Sequence, residues 1–193
     1  LARHGEYQNP NQLSPYRLPG FPLSNLGKEQ AQKIASNLSD HNIKAIYTSP
    51  ITRCLETATI IGHSLNLLPI QESRLIETGT PLAGIKLNDP RHFLPDYLYK
   101  LSEHLVGGGE TPEQIFTRLN NTITDLQSQE AETNFLVVSH ADPIMIYLYG
   151  IHRLLLPRTD QEIVRGAIRY IPMGGLVQVT FSPGQAPQYR EII

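Results

Sequence analysis

The chain has 193 residues, a formal net charge of -2 and a single cysteine. That length suits one domain with a sizeable core, and the near-neutral charge argues against a general polyanion binder, so nucleic acid is not an expected partner. One thiol excludes an intrachain disulfide and suits a cytoplasmic, reducing compartment, and no apolar run is long enough to span a bilayer, so no membrane partner is expected either.

The chain starts at Leu1, without methionine. A strand usually needs about five residues, and "LA" alone is short for one. A few apolar residues are therefore expected upstream. "RHGE" follows, and residues 7–23, "YQNPNQLSPYRLPGFPL", read as an irregular loop. Leu26, Ala31, Ile34, Ala35 and Leu38 recur at helical spacing, with Ser24 as the expected N-cap. "KAIYTS", 44–49, predicts a short buried strand. The next helix is expected to start with Ser49 as cap and Pro50 in the first position, burying Cys54, Ala58, Ile61 and Leu65. Residues 68–77 read as an extended segment ending at Glu77, and a helix is expected around 91–105. "TPEQIFTRL" is a capping box, with Thr111 as cap and Gln114 three residues on, followed by a stripe of Ile115, Leu119, Ile123 and Leu126. "NFLVVSH", 134–140, is a continuous apolar run of the kind a parallel sheet covered on both faces requires. Asp142 before Pro143 reads as the cap of one more helix, and "LVQVTF" and a final segment as late strands. Strands alternating with helices, with no repeat or linker, predict one α/β domain over residues 1–193 with a mostly parallel sheet.

Polar residues stand at the predicted strand ends. His4 follows the first strand, Arg53 lies just after the second, Glu77 ends the next, and His140 ends the 134–139 run. Ligands of open α/β sheets bind outside the carboxyl ends of the strands. Arg3, His4, Arg53, Glu77 and His140 are therefore expected to share one crevice. Arginines suit phosphate oxygens, an imidazole can attack phosphorus, and a carboxylate can protonate a leaving oxygen. Each residue also has a plainer reading. Arg53 can pair with Glu56 on its own helix, Glu77 can be a surface carboxylate, and Cys54 reads as a small hydrophobe. "GGG" at 107–109 lacks the lysine of a phosphate loop. His41, His63, His92, His104 and His152 are scattered and read as surface or packing residues.

"LARHGE", "PLSNLGKEQA", "IYTSPITRCLETA", "RLIE", "GGGETPEQIFTRL" and "FLVVSHADPI", in that order, resemble the histidine phosphatase superfamily, which has the phosphoglycerate mutase-like fold. The resemblance implies a three-layer sandwich and a phosphomonoesterase using a phosphohistidine intermediate on a small phosphorylated substrate. It implies His4 as nucleophile, Arg3, Arg53 and His140 as the rest of the phosphate pocket, Glu77 as proton donor, and no metal or other cofactor. It also implies that the other nitrogen of His4 is held by a backbone carbonyl, and that nearby cations keep the ring neutral. Gly5 is expected to allow close backbone approach. The chain departs from the family after Glu77, where "TGTPLAG" replaces a Gly-x-Trp-Glu-Gly-like stretch. The 32 residues between Glu77 and Glu110 are few beside the family's mutases, and offer Lys86, Arg91 and His92 as polar candidates. Asp142 is the rival acid, by analogy with the acid-phosphatase branch. A phosphoglycerate mutase and a catalytically silent phospho-ligand or protein-binding module are the alternative functions. The substrate and the oligomeric state are not legible.

Overall fold

In the computed structural model of the protein, residues 1–93, 109–130, 133–182 and 184–193 are described. The elements run β1 (Ala2–Arg3), α1 (Asn25–Leu38), β2 (Ile43–Thr48), α2 (Thr52–Leu65), β3 (Pro69–Gln71), α3 (Pro112–Gln129), β4 (Asn134–Ser139), α4 (Ala141–Ile151), α5 (Asp160–Arg165), β5 (Val177–Thr180) and β6 (Gln188–Glu191). Four strands form a sheet in the order β1-β4-β2-β3, every pairing parallel. The late strands β5 and β6 form a separate antiparallel pair, bridged to β1 through Ala2 and Leu176.

Side-chain alternation explains the layers. Successive strand residues point to opposite faces. Ile46, Leu136 and Val138 pack with Ile34, Ala58 and Ile61 from α1 and α2. Ala45, Tyr47 and Val137 pack with Ile115, Leu119 and Ile144 from α3 and α4. The central strands are thus covered on both sides, which is why "LVV" is apolar throughout. The result is the expected α/β three-layer sandwich.

Local signals worked where a cap needs only its own helix. Ser24 Oγ accepts from the Gly27 N–H at 3.0 Å, and Thr111 and Gln114 close the capping box. Two expected caps are corrected. The N-cap of α2 is Ile51, not Ser49, and that of α4 is His140, with Asp142 inside the first turn. An acid there still suits the helix dipole. The extended segment expected over 68–77 is mostly not strand. The Glu72 N–H donates to the Thr48 carbonyl at 2.9 Å, and the Glu72 side chain then accepts from Arg74 N–H, turning Ser73–Leu75 into a 3-10 helix. Of the helix expected around 91–105, Pro90–Phe93 form a 3-10 turn, and residues 94–105 lie outside the described residues.

The chain after β1 runs against α1. A Cβ on Gly5 would stand 2.4 Å from the Gly27 carbonyl oxygen, and one on Gly27 would stand 1.9 Å from that of Glu6. Both contacts are backbone, so nothing flexible can yield. Gly27→Ala should destabilise the fold by about 1–3 kcal/mol or more and should displace the His4–Glu6 segment. Urea unfolding reads the first effect. A wild-type midpoint in Gly27→Ala would show that this approach is not tight.

Candidate active site

The sheet register creates the centre of the site. Arg3 lies opposite Ser139, so His4 and His140 leave adjacent strands side by side. The His4 N–H donates to the Ser139 carbonyl at 3.1 Å. The two rings meet edge to face with centroids 5.2 Å apart, and both are buried.

Arg53 reaches the same point from the first turn of α2. Its Nε donates to His4 Nε2 at 3.1 Å, and its Nη2 donates to the Tyr16 carbonyl at 2.8 Å and to His140 Nδ1 at 3.0 Å. Arginine has no acceptor atom. The His4 atom facing it must therefore carry a lone pair, which leaves the ring proton on Nδ1 to donate to the Gly5 carbonyl at 2.8 Å. The backbone carbonyl thus fixes one tautomer, with the lone pair on Nε2. By the same logic His140 accepts at Nδ1 and its Nε2–H donates to Ser49 Oγ at 2.8 Å.

Glu77 closes the group. Its Oε2 lies 3.6 Å from Arg53 Nη2 and 3.4 Å from His140 Nδ1, and its Oε1 accepts from the Thr78 N–H at 2.9 Å. Arg3 is anchored by Nη1 on the Ile171 carbonyl at 2.9 Å and lies over the Tyr170 ring. Among the described residues, Arg3 Nε and Arg53 Nη1 are buried without a hydrogen-bond partner. Buried N–H donors left unpaired are costly, and an oxyanion would satisfy them.

Burial dominates the titration of these groups. It lowers both His4 and His140 well below the ordinary imidazole value, and the Arg53 and Arg3 cations add to the effect. The cations expected to keep His4 neutral are therefore the secondary cause. Burial raises Glu77 above the ordinary carboxylate value, against the opposing pull of Arg53. The site holds neutral rings beside a carboxyl biased toward its protonated form.

All five predicted residues come together. Arg53 does not pair with Glu56, which instead accepts from the Leu23 N–H at 2.6 Å. Lys86, Arg91 and His92 are engaged elsewhere, by the Asn11 carbonyl, Asp89 and Ser14 respectively. Cys54 lies 3.5 Å from His140 Nε2, but burial drives its thiol far upward, so it stays protonated. Sequence reasoning missed Ser49, which holds His140, and Thr57, whose Oγ1 accepts from the Gly5 N–H at 3.0 Å. It also missed Tyr16 and Arg17. Ser49 and Thr57 lay inside a recognised block; Ser49 directly follows the end of β2, which was its available signal, whereas Thr57 lies within α2 and had none beyond the block. Tyr16 and Arg17 had none beyond the loop that contains them.

Residues 1–167 match the family model of the histidine phosphatase superfamily (branch 1). The chain belongs to that superfamily. Its relatives include phosphoserine phosphatase 1 of Hydrogenobacter thermophilus, 30% identical over 150 residues, covering 75% of this chain and 71% of that protein. A 2,3-bisphosphoglycerate-dependent phosphoglycerate mutase of Thermoplasma acidophilum is 31% identical over 148 residues, covering 75% and 70%. The solved structure of Bacillus stearothermophilus YhfR superimposes with a TM-score of 0.81 at 20% identity, covering 100% of this chain and 93% of that one. That likeness establishes the phosphoglycerate mutase-like fold. Histidine phosphatases include phosphatases and mutases, and this member of the superfamily is a phosphoryl-transfer enzyme. Among its described residues, no helix is long and apolar enough to cross a membrane.

Proposed function

We propose that the chain is a metal-independent phosphomonoesterase working through a phosphohistidine. One observation carries this reading: the fixed Nε2 lone pair of His4 stands beside Arg53, and Arg53 and Arg3 each keep a buried N–H without a partner among the described residues. Those donors suit the non-bridging oxygens of a phosphoryl group. In the first step His4 Nε2 forms a bond to phosphorus while the ester P–O bond breaks. Glu77 transfers its proton to the leaving oxygen. In the second step Glu77 takes a proton from water, the oxygen forms a bond to phosphorus, and the P–N bond breaks. Inorganic phosphate and neutral His4 result. Arg3, Arg53 and His140 hold the phosphoryl oxygens throughout, which favours the charge that develops there.

The acid is tested through the leaving group. An aryl phosphate departs readily as an anion, whereas an alkyl phosphate needs a proton. Glu77→Gln should slow an alkyl phosphate by about 10²-fold or more while changing an aryl phosphate by less than about tenfold. The raised Glu77 pKa sets the sign of the pH effect. Alkyl phosphate turnover should fall as pH rises through that pKa, and this limb should be missing from Glu77→Gln. Asp142→Asn should leave the alkyl-to-aryl ratio unchanged. A ratio that moves in Asp142→Asn and stays fixed in Glu77→Gln would make Asp142 the acid.

A mutase is the second reading, favoured by the 31% identity to the archaeal phosphoglycerate mutase. It predicts return of the phosphoryl group to a second hydroxyl of the same acid. Isomerisation of a phosphoglycerate that outpaces phosphate release would select it.

A further inference from the structure

Glu77 owes little of its position to its own strand. β3 ends at Gln71, six residues before it, and the connecting chain is irregular around the 3-10 turn. The backbone is instead gripped from outside. Arg118 on α3 donates through Nη1 to the Arg74 carbonyl at 2.6 Å and to the Ile76 carbonyl at 2.9 Å. The other edge of the same guanidinium meets both oxygens of Glu110, at 2.9 and 3.0 Å. The Glu110 carboxylate accepts from the Gly79 N–H at 3.0 Å, and the Glu110 N–H donates to the Gly79 carbonyl at 3.0 Å. Arg17, from the 7–23 loop, pairs with Glu110 and donates through Nε to the carbonyl of Glu77 itself at 2.6 Å.

Five of these bonds hold backbone groups of Arg74, Ile76, Glu77 and Gly79, on both sides of the carboxylate. They converge on one charged centre formed by Arg17, Glu110 and Arg118. Arg118 and Glu110 are only 16% and 17% exposed. In such surroundings bidentate, charge-assisted bonds resist rearrangement better than at an open surface. A general acid must lie within hydrogen-bond reach of its proton acceptor, and displacement by about 1 Å can cost about 10²-fold in rate.

We infer that Arg17, Glu110 and Arg118 form a clamp that positions Glu77 for proton transfer. The inference rests on the reading of Glu77 as the proton donor. The three are positioning residues, and their effect on rate passes through Glu77. The clamp also accounts for why "GGGE" and the arginine eight residues later stand where they do. Glu110 stands just ahead of the Thr111 cap of α3, and about two helical turns bring Arg118 back over the same carboxylate.

The test uses the leaving-group ratio with Glu77→Gln as reference. Glu110→Gln and Arg118→Lys should each slow an alkyl phosphate by about tenfold or more and an aryl phosphate by less than threefold on the same scale. Neither should slow the alkyl phosphate further when combined with Glu77→Gln, because the group they position is then gone. Arg17→Lys, on the more exposed arginine, gives a third variant that keeps the fold if the buried pair proves too disruptive. Equal losses on both substrates, or additive losses on the Glu77→Gln background, would reduce the triad to a structural role and overturn the inference. If Glu77→Gln itself leaves the ratio unchanged, the underlying acid assignment fails instead, so the two failures are distinguishable.

Discussion

Replacing His4 with alanine should lower phosphate release by about 10⁴-fold or more, the scale expected when a covalent nucleophile is removed. It should also abolish any acid-labile phosphoenzyme trapped from labelled substrate. Two imidazoles share the site, and the geometry separates them. His4 donates its Nδ1 proton to a backbone carbonyl, which can only accept, so its Nε2 lone pair is permanent. His140 accepts from Arg53 at Nδ1 and donates from Nε2 to the Ser49 hydroxyl, which unlike a carbonyl can also donate, so its proton can move to Nδ1 when an oxyanion takes up the Arg53 donor. The first arrangement suits a nucleophile, the second a binding residue. His4→Ala removes a buried ring, so circular dichroism should accompany the assay. Label retained on a folded His4→Ala variant, at His140 or elsewhere, would reverse the assignment.

Arg53 should show the next largest loss. One guanidinium donates to His4, to His140 and to the Tyr16 carbonyl, and faces Glu77. Arg53→Ala should lower turnover by about 10²–10³-fold, as for loss of a preorganised donor. Lysine should restore little of this, since a single ammonium cannot reproduce a planar fork. The pH profile offers a second readout. Arg53 lowers the pKa of His4 and of His140, so removing it should raise both. On the proposed mechanism His4 attacks as the neutral ring, so residual activity should then be lost at a higher pH on the acid side than in the wild type. An unshifted acid limb with full turnover would place Arg53 outside the chemistry.

The elements differ in how far their own residues announced them. The 134–139 strand was found to within one residue at its end, because a continuous apolar run suits a strand of a parallel sheet covered on both faces. α1 and α3 were read from caps that bond to their own first turns. Ser49 and Asp142 carried the same kind of signal and misled. A serine before proline can cap, yet its hydroxyl went to a histidine 91 residues away. His140 took the cap position of α4 without capping through its side chain, since its ring was committed to the site.

The order of motifs along the chain determined the family, the α/β class and the list of five polar residues. Arg3, His4, Arg53 and His140 lie at or just beyond strands that apolar patterning reveals locally, whereas Glu77, six residues past the end of β3, was carried by the match of "RLIE" to the family. The tertiary structure decided how those residues act. The pairing of Arg3 with Ser139 set two imidazoles face to edge. The Gly5 carbonyl chose the tautomer of His4. Burial, more than neighbouring cations, lowered the imidazoles and raised the carboxyl. The placement of Glu77 came from Arg17, Glu110 and Arg118, which lie 60, 33 and 41 residues from it in sequence. Hydrogen bonds over such separations depend on how the layers pack, and packing brings together side chains whose local sequence carries no trace of one another.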